Sequence, residues 1–347
     1  MAKMSFLKSA AAWLGFIVSL GSEVAMSAEP LDAAPYVRPD VQVYLDMMEA
    51  RPRPAMSDET IAMMRKIPPE MMAQMMAATE KPLGTLAVDK KLTMPGPGGT
   101  MDLRLFDARA DRPAGPVVVF YHGGGFVVGS IATHASLAAE MARQLDLPVV
   151  SVEYRLAPEH KWPAAPDDAE AAARWIADNG AAFARSFDSL ILSGDSAGGT
   201  LTLVTALALR DKPASVPVKM LIPFYPMADG SKVYPSTTAF SKGYGLNTPD
   251  TAYFDKALAA DKNSPRHSAL LADLKGLPPT VLATASLDPL RDGGRAFAAK
   301  LIQAGVPVSF YEAEGSVHGF ATFRQGIASA QSDLDKIMAL ARAMLAQ

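Results

Sequence analysis

The sequence contains no cysteine among its 347 residues. This absence excludes disulfide bonds, thiolate nucleophiles, zinc–cysteine sites, iron–sulfur clusters and lipid attachment through cysteine. The sequence also lacks an excess of basic charge: 33 Lys and Arg stand against 36 Asp and Glu, so nothing indicates a nucleic-acid partner. With 49% hydrophobic and 20% charged residues, the composition is that of a folded protein able to bury its own core. We therefore expect one large domain, or a domain with an accessory element.

The first 28 residues have the layout of a secretory signal. Lys3 and Lys8 precede an apolar run of 11 residues, 10–20, and a stretch of small residues follows it and ends at Ser27 and Ala28. The run is shorter than the roughly 20 apolar residues that span a bilayer, so we expect no stable membrane span. We predict a periplasmic or secreted protein. The alternative is a cytoplasmic protein that retains residues 1–28 as an amphipathic helix over the mouth of the active site.

Methionine is concentrated near the N-terminus. Nine of the 19 methionines fall between Met47 and Met76, where the pattern predicts short helices over 41–48, 57–67 and 69–79. One interpretation is ordinary helical core. The other is a pliable apolar lid, because unbranched thioether side chains adapt to varied ligands.

From residue 91 onward the sequence predicts alternating strands and helices. Apolar and charged residues alternate in 101–106, and a Pro/Gly-rich turn precedes them at 95–99. Together these features indicate an antiparallel hairpin. The strands that follow are short apolar runs, as expected for a sheet buried on both faces: 117–121, 148–152, 189–193, 220–224, 279–284 and 308–311. Helices are predicted at 132–145, 166–179, 197–210, 292–304 and 327–346. This alternation predicts an α/β fold with a mostly parallel, doubly wound sheet, and the polar stretch 229–274 is expected to be an insertion over it.

The strongest catalytic signal is Gly194-Asp195-Ser196-Ala197-Gly198, which matches G-x-S-x-G. A predicted strand ends directly before this motif, and a predicted helix begins at residue 197. A sharp turn between strand and helix exposes the serine hydroxyl, and small flanking residues let the backbone adopt that turn. We therefore predict that Ser196 is a nucleophile rather than part of a chance Gly/Ser loop.

A run of three glycines, in His122–Gly125, is the second signal. Backbone N–H groups without neighbouring side chains can approach a ligand closely, and acyl transfer needs such donors for the developing oxyanion. A dinucleotide-binding loop is the competing interpretation. However, the next glycine is Gly129 rather than residue 128, so G-x-G-x-x-G is not met. Phe126, beside the glycines, is expected to line the substrate pocket, together with residues 40–80.

Ser196 requires a base that is held by an acid. His318 follows the last predicted strand, where a loop can reach the carboxyl ends of the sheet, and it is the predicted base. We expect His122 to be a structural hydrogen-bonding residue. The three other histidines are expected to have structural or solvated roles: His134, His160 and His267.

Asp288 is the predicted acid. In sheets with this type of nucleophile turn, the acid falls between the serine and the histidine in chain order. Asp288 comes directly after the predicted strand 279–284, in the stretch Ala285–Asp292. Asp292 is the nearest competitor, and we interpret it as a helix N-cap.

These motifs together resemble the bacterial hormone-sensitive-lipase-like esterases, the family IV carboxylesterases. The resemblance rests on His122–Gly125, Gly194–Gly198, Asp288–Leu290 and His318–Phe320. The segment Tyr154–Ala165 is also similar to one in that family and is expected to brace the glycine loop. The resemblance implies an α/β-hydrolase fold, with a catalytic domain at 91–347, an N-terminal helical cap at 29–90 and a cap insertion at about 229–274.

The resemblance also implies the chemistry. The oxyanion donors would be the N–H groups of Gly124, Gly125 and Ala197, and the reaction would be hydrolysis of short- to medium-chain acyl esters through an acyl-enzyme. The expected partner is a small-molecule ester, and neither a metal nor an organic cofactor is required. Three alternatives stay open: an arylacetamide- or lactone-directed hydrolase, a long-chain lipase and, from another class, a non-catalytic ligand-binding receptor. The receptor interpretation is disfavoured because such receptors lose the base. The sequence leaves a homo-oligomer open.

The signal-peptide interpretation predicts the N-terminus of the mature protein. Cleavage after Ser27 or Ala28 would leave Ala28 or Glu29 as the first residue. N-terminal sequencing of protein expressed from the full gene measures this directly. An intact Met1 or Ala2 would contradict export.

Overall fold

Strands and helices alternate along the chain in the computed structural model, which describes residues 34–51 and 53–347. The predicted signal segment 1–28 lies outside the described residues. Within them, the strands are β1 (Val88–Gly96), β2 (Gly99–Asp107), β3 (Gly115–Tyr121), β4 (Val149–Val152), β5 (Phe187–Asp195), β6 (Val218–Phe224), β7 (Thr280–Leu287) and β8 (Val308–Val317). The helices are α1 (Pro39–Ala50), α2 (Asp58–Met64), α3 (Pro69–Met75), α4 (Ala135–Leu145), α5 (Ala164–Asp178), α6 (Ala197–Asp211), α7 (Pro235–Ala239), α8 (Thr248–Leu258), α9 (Arg291–Gln303) and α10 (Ser329–Leu345).

The strands form one sheet in the spatial order β1-β2-β4-β3-β5-β6-β7-β8. The β1–β2 and β2–β4 pairs are antiparallel, and every other neighbouring pair is parallel. Gly96 pairs with Gly99, so the predicted hairpin turns through two residues. The predicted doubly wound, mostly parallel sheet is confirmed. Because parallel strands end at the same edge, the loops after β3, β5, β7 and β8 meet there.

Each face of the sheet is covered by its own hydrophobic core. Successive residues of β3 alternate between them: Val117, Val119 and Tyr121 pack with α5, α6 and α9. Val118 and Phe120 pack with α4 and α10 on the other face. Strands that are buried on both sides need apolar residues at successive positions. The resulting continuous apolar segments allowed these strands to be predicted from the sequence.

The last strand is longer than the sequence pattern predicted. β8 continues from Val308 to Val317, whereas the apolar run predicted its end at residue 311. It is an edge strand, and Glu312 and Glu314 interrupt the apolar pattern because edge positions tolerate polar side chains. The strand therefore ends directly at His318.

The methionine-rich helices fit the interpretation as ordinary helical core only in part. Met56 and Met64 pack partly against the core. Ordinary core is nevertheless the wrong interpretation for Met63, Met71 and Met75, whose side chains are more than half exposed.

Among the described helices, none is both long and apolar enough to cross a bilayer.

The turn between β5 and α6 requires residues without side chains. A Cβ atom at Gly198 would overlap the carbonyl of Tyr121 at the end of β3, and one at Gly194 would overlap the carbonyl of Gly198. Both contacts are with backbone atoms, which cannot move without displacing a strand or a helix. Glycine at these positions is thus what lets α6 start so close to the sheet.

We expect Gly198→Ala to destabilise the fold by about 1–3 kcal/mol or more, because the methyl group overpacks a backbone contact. Gly293→Ala is the matched control: its Cβ would meet Tyr234 Cε2 at an ordinary contact distance of 3.7 Å, and alanine favours the helix. Denaturant unfolding measures both. Equal stability of Gly198→Ala and the parent would contradict the steric argument.

Candidate active site

Ser196 occupies the turn that joins β5 to α6. Its backbone has φ +54° and ψ −117°, a strained combination for a residue with a side chain. The Ser196 N–H donates to the Phe224 carbonyl (2.9 Å), which ties the turn to the end of β6. The hydroxyl is thereby held at the N-terminus of α6, at the carboxyl edge of the sheet.

The structure brings His318 and Asp288 to this hydroxyl. His318 Nε2 lies 2.8 Å from Ser196 Oγ, and His318 Nδ1 lies 2.7 Å from Asp288 Oδ2. The Asp288 side chain is fully buried, and that of His318 is 10% exposed. Since the carboxylate can only accept, Nδ1 donates to Asp288, and Nε2 is left to accept from the serine hydroxyl. Three side chains from three distant loops thus form one continuous hydrogen-bonded chain.

The prediction that Asp292 caps a helix is wrong. Helix α9 begins at Arg291, so Asp292 is its second residue, and its Oδ2 accepts from the Ser236 N–H (2.8 Å) in the insertion. The turn before α9 is instead closed by Asp288, whose Oδ1 accepts from the Leu290 N–H (2.8 Å). That bond fixes the carboxylate and leaves Oδ2 for His318.

Tyr225 is a neighbour of the site that the sequence analysis missed. Its ring is almost completely buried, and its centroid lies 4.8 Å from that of the His318 imidazole. Burial raises the pKa of Tyr225 well above its usual value, so the ring is neutral. It limits the positions open to the imidazole. Its position directly after β6, at the carboxyl edge of the sheet, was the sequence feature that could have identified it.

The glycine loop lies beside Ser196. Gly124 and Gly125 have φ angles of +119° and +61°, and a Cβ at Gly124 would overlap the Val128 carbonyl. Within the described residues, neither glycine N–H donates to another backbone group. Ala197 is the first residue of α6, where the N–H has no intrahelical partner.

The Tyr154 segment supports the glycine loop, as predicted. The Tyr154 hydroxyl donates to the His122 carbonyl (2.6 Å), and the Ala157 N–H donates to the Phe126 carbonyl (2.9 Å). The Tyr154 ring also stacks on the His122 ring, with 4.3 Å between centroids. The loop is therefore held from behind at both of its ends.

A buried ion pair lies between the turn that carries Ser196 and the glycine loop. Asp195 Oδ1 accepts from the Gly123 N–H (2.8 Å) and lies 3.4 Å from His134 Nε2. Burial alone would raise the pKa of Asp195 and lower that of His134, but each partner's charge outweighs burial and shifts both pKa values toward the ionised forms. The pair links the residue before Ser196 to the first glycine of the loop.

His122 is a structural hydrogen-bonding residue, as expected. Burial, followed by the nearby charge of His134, lowers the pKa of His122 to about 3, so its ring is neutral. Its Nδ1 therefore donates to the Gly123 carbonyl (2.8 Å). The two other histidines differ: His160 is exposed, whereas His267 is buried.

A cleft of about 370 Å³ opens at Ser196. Gly125, Phe126 and Ala197 line it on the side of the glycine loop. Most of the remaining lining comes from residues 229–267, which places the insertion over the carboxyl edge of the sheet. The expectation that residues 40–80 wall this cleft is wrong for the described part of that segment, because the insertion occupies the position instead.

Across residues 34–51 and 53–347, no group of three or more His, Asp and Glu side chains is arranged to hold a metal ion.

Comparison with known proteins agrees with this architecture. A family model described as the alpha/beta hydrolase fold matches residues 118–322. Esterase LipI of Mycobacterium tuberculosis is 34% identical over 261 residues, covering 73% of this chain and 81% of that protein. Ethyl acetate hydrolase of Pseudomonas putida is 34% identical over 247 residues, covering 70% and 77%. A solved ester hydrolase from the metagenome of Lake Arreo, complexed with a bipyridine phosphonate derivative, has a TM-score of 0.81 at 32% identity and covers 90% of this chain and 100% of that chain.

Proposed function

The chain belongs to the hormone-sensitive-lipase-like branch of the α/β hydrolase family and is a carboxylesterase, and from this premise we propose that it hydrolyses short- to medium-chain acyl esters through Ser196, His318 and Asp288. The observation that carries the proposal is the hydrogen-bonded chain from Asp288 through His318 to Ser196, at 2.7 and 2.8 Å. Ser196 lines a cleft large enough for a small ester.

The reaction begins with attack of Ser196 Oγ on the ester carbonyl. His318 Nε2 takes the hydroxyl proton, while Asp288 holds the imidazole in the required tautomer and offsets its positive charge. The carbonyl oxygen becomes an oxyanion and binds the three free N–H groups at Gly124, Gly125 and Ala197. When the tetrahedral intermediate collapses, the alcohol leaves with the proton from His318 and the acyl group stays on Ser196.

Water completes the cycle. His318 removes a proton from a water molecule as it attacks the acyl-enzyme, and a second oxyanion forms at the same donors. Collapse returns the proton from His318 to Ser196 Oγ and releases the carboxylic acid. No step uses a metal or an organic cofactor.

The cap proposed for 29–90 and 229–274 would control entry to the cleft of the catalytic domain, 91–347. Its two parts contact each other: the Tyr253 hydroxyl donates to Asp58 (2.9 Å), and Arg53 pairs with Asp250 (2.5 Å). These bonds support the idea that the N-terminal helices hold the insertion in place from outside the cleft. For location, we propose export to the periplasm or beyond, on the basis of residues 1–28.

Replacing the nucleophile tests the mechanism. We expect Ser196→Ala to lower kcat for a short acyl ester by roughly 10⁴–10⁶-fold, because the acyl-enzyme cannot form. A phosphonate should add its mass to the peptide that contains Ser196 in the parent and not in the variant. Ser186→Ala, which changes an exposed serine, is the control and should keep parental activity. Substantial turnover by folded Ser196→Ala would refute the assignment, and absence of labelling in the parent would favour the receptor alternative.

An acyl-chain series tests the substrate range. We expect kcat/KM for para-nitrophenyl esters to peak between acetate and octanoate and to fall steeply for palmitate, because the cleft volume is small. Initial rates below the solubility limit of each ester measure this. A maximum at palmitate would instead indicate a long-chain lipase. Faster hydrolysis of acetanilide than of phenyl acetate would indicate the arylacetamide-directed alternative.

A further inference from the structure

His267 is a buried histidine on the wall of the cleft that contains Ser196. Its exposed fraction is 3%, and it belongs to the cleft lining. Within the described residues, neither of its ring nitrogens forms a hydrogen bond, and neither is sealed from solvent. Its nitrogens therefore border the space of the cleft, unlike the sealed and unpaired Nε2 of His122.

The ring of His267 lies between Phe126 and Gly230 on the wall of the cleft. Its centroid is 6.4 Å from that of Phe126, the residue that follows the three glycines. On its other side, its Nε2 would lie 3.0 Å from a Cβ at Gly230. The imidazole thus fills the wall between the glycine loop and the start of the insertion, in the same cleft as Ser196.

The backbone around His267 is fixed. The Gly230 N–H donates to Ser268 Oγ (3.0 Å), and the Leu270 N–H donates to the Ala228 carbonyl (2.9 Å). The His267 N–H itself donates to the Ser264 carbonyl (2.9 Å). Because the backbone is already ordered, little conformational entropy is lost when the side chain binds a ligand.

The imidazole of His267 is neutral. Burial lowers its pKa, and the charged groups around it, Asp255, Lys262 and Asp261, do not reverse that shift. Asp255 and Lys262 pair with each other at 2.5 Å. A neutral imidazole offers one N–H donor and one acceptor nitrogen.

We propose that His267 is a specificity-determining residue that binds a hydroxyl group of the substrate, so that the preferred esters carry a hydroxyl near the ester bond, on the acyl or the alcohol part. This inference rests on the proposed function. A hydroxyl is the small group that both donates and accepts, and so complements a neutral imidazole. A plain alkyl ester would cover the same nitrogens and leave them unpaired, which is unfavourable in a buried site.

Matched ester pairs test the proposal. Ethyl butanoate is compared with its analogue that has a hydroxyl in place of the terminal acyl methyl group, and propyl acetate with its analogue that has a hydroxyl in place of the terminal alkyl methyl group. The measured quantity is the ratio of kcat/KM, hydroxylated over plain, within each pair. In His267→Leu we expect this ratio to fall by about threefold to tenfold for at least one pair, the size of one neutral hydrogen bond.

Three further variants separate recognition from structure. His267→Gln keeps a donor and an acceptor, and it should recover part of the ratio. His267→Phe keeps a ring of similar size without nitrogens, and it should behave as His267→Leu does, which also covers a failure of the leucine variant to fold. His160→Leu removes an exposed histidine and should leave the ratio unchanged. Phosphonate labelling of Ser196 in each variant verifies an intact nucleophile.

The measurements separate the role of His267 from the esterase activity itself. A ratio unchanged in both His267→Leu and His267→Phe, or an equal loss for both members of each pair, would overturn the role of His267 while leaving the esterase mechanism in place. Absence of hydrolysis of every ester by the parent protein would overturn the proposed function itself.

Discussion

Close contact between backbones at the carboxyl edge of the sheet is the constraint on which the site depends. Gly198 brings the first turn of α6 against the carbonyl of Tyr121, and this contact leaves no room for a side chain. It sets the distance between the turn that carries Ser196 and the glycine loop that follows β3. Because both loops start from neighbouring parallel strands, the same contact brings the turn that carries Ser196 close to the loop that contains Gly124 and Gly125.

A buried ion pair links the turn that carries Ser196 to the glycine loop. Asp195 forms a bond to the Gly123 N–H and an ion pair with His134, both out of contact with bulk water. A buried pair costs desolvation and adds little net stability, but removal of one partner is severe because the other charge is left alone. Its position between the nucleophile turn and the glycine loop is consistent with a role in geometry. The neutral ring of His122 completes this support, since burial removes its charge.

The cleft is built largely by the insertion rather than by the sheet. Residues 229–267 supply most of its lining, and α7 and α8 lie within that stretch. Under the proposed function, the sheet and its loops would supply chemistry that many ester substrates share, while the insertion would supply the contacts that distinguish one ester from another. His267 lies in the insertion and lines the cleft beside Phe126.

The sequence by itself determined the features that depend on local pattern. Fully apolar runs such as Val117–Tyr121 predicted buried parallel strands, and the motifs around Ser196, Asp288 and His318 marked the ends of three of them, because the turns there need particular residues within a few positions. Only the tertiary structure decided which segments meet across the fold. It assigned the turn before α9 to Asp288 rather than Asp292, placed Tyr225 against the imidazole, and gave the cleft wall to the insertion instead of the methionine-rich helices. These outcomes depend on contacts between residues far apart in the chain, and no local periodicity encodes such contacts.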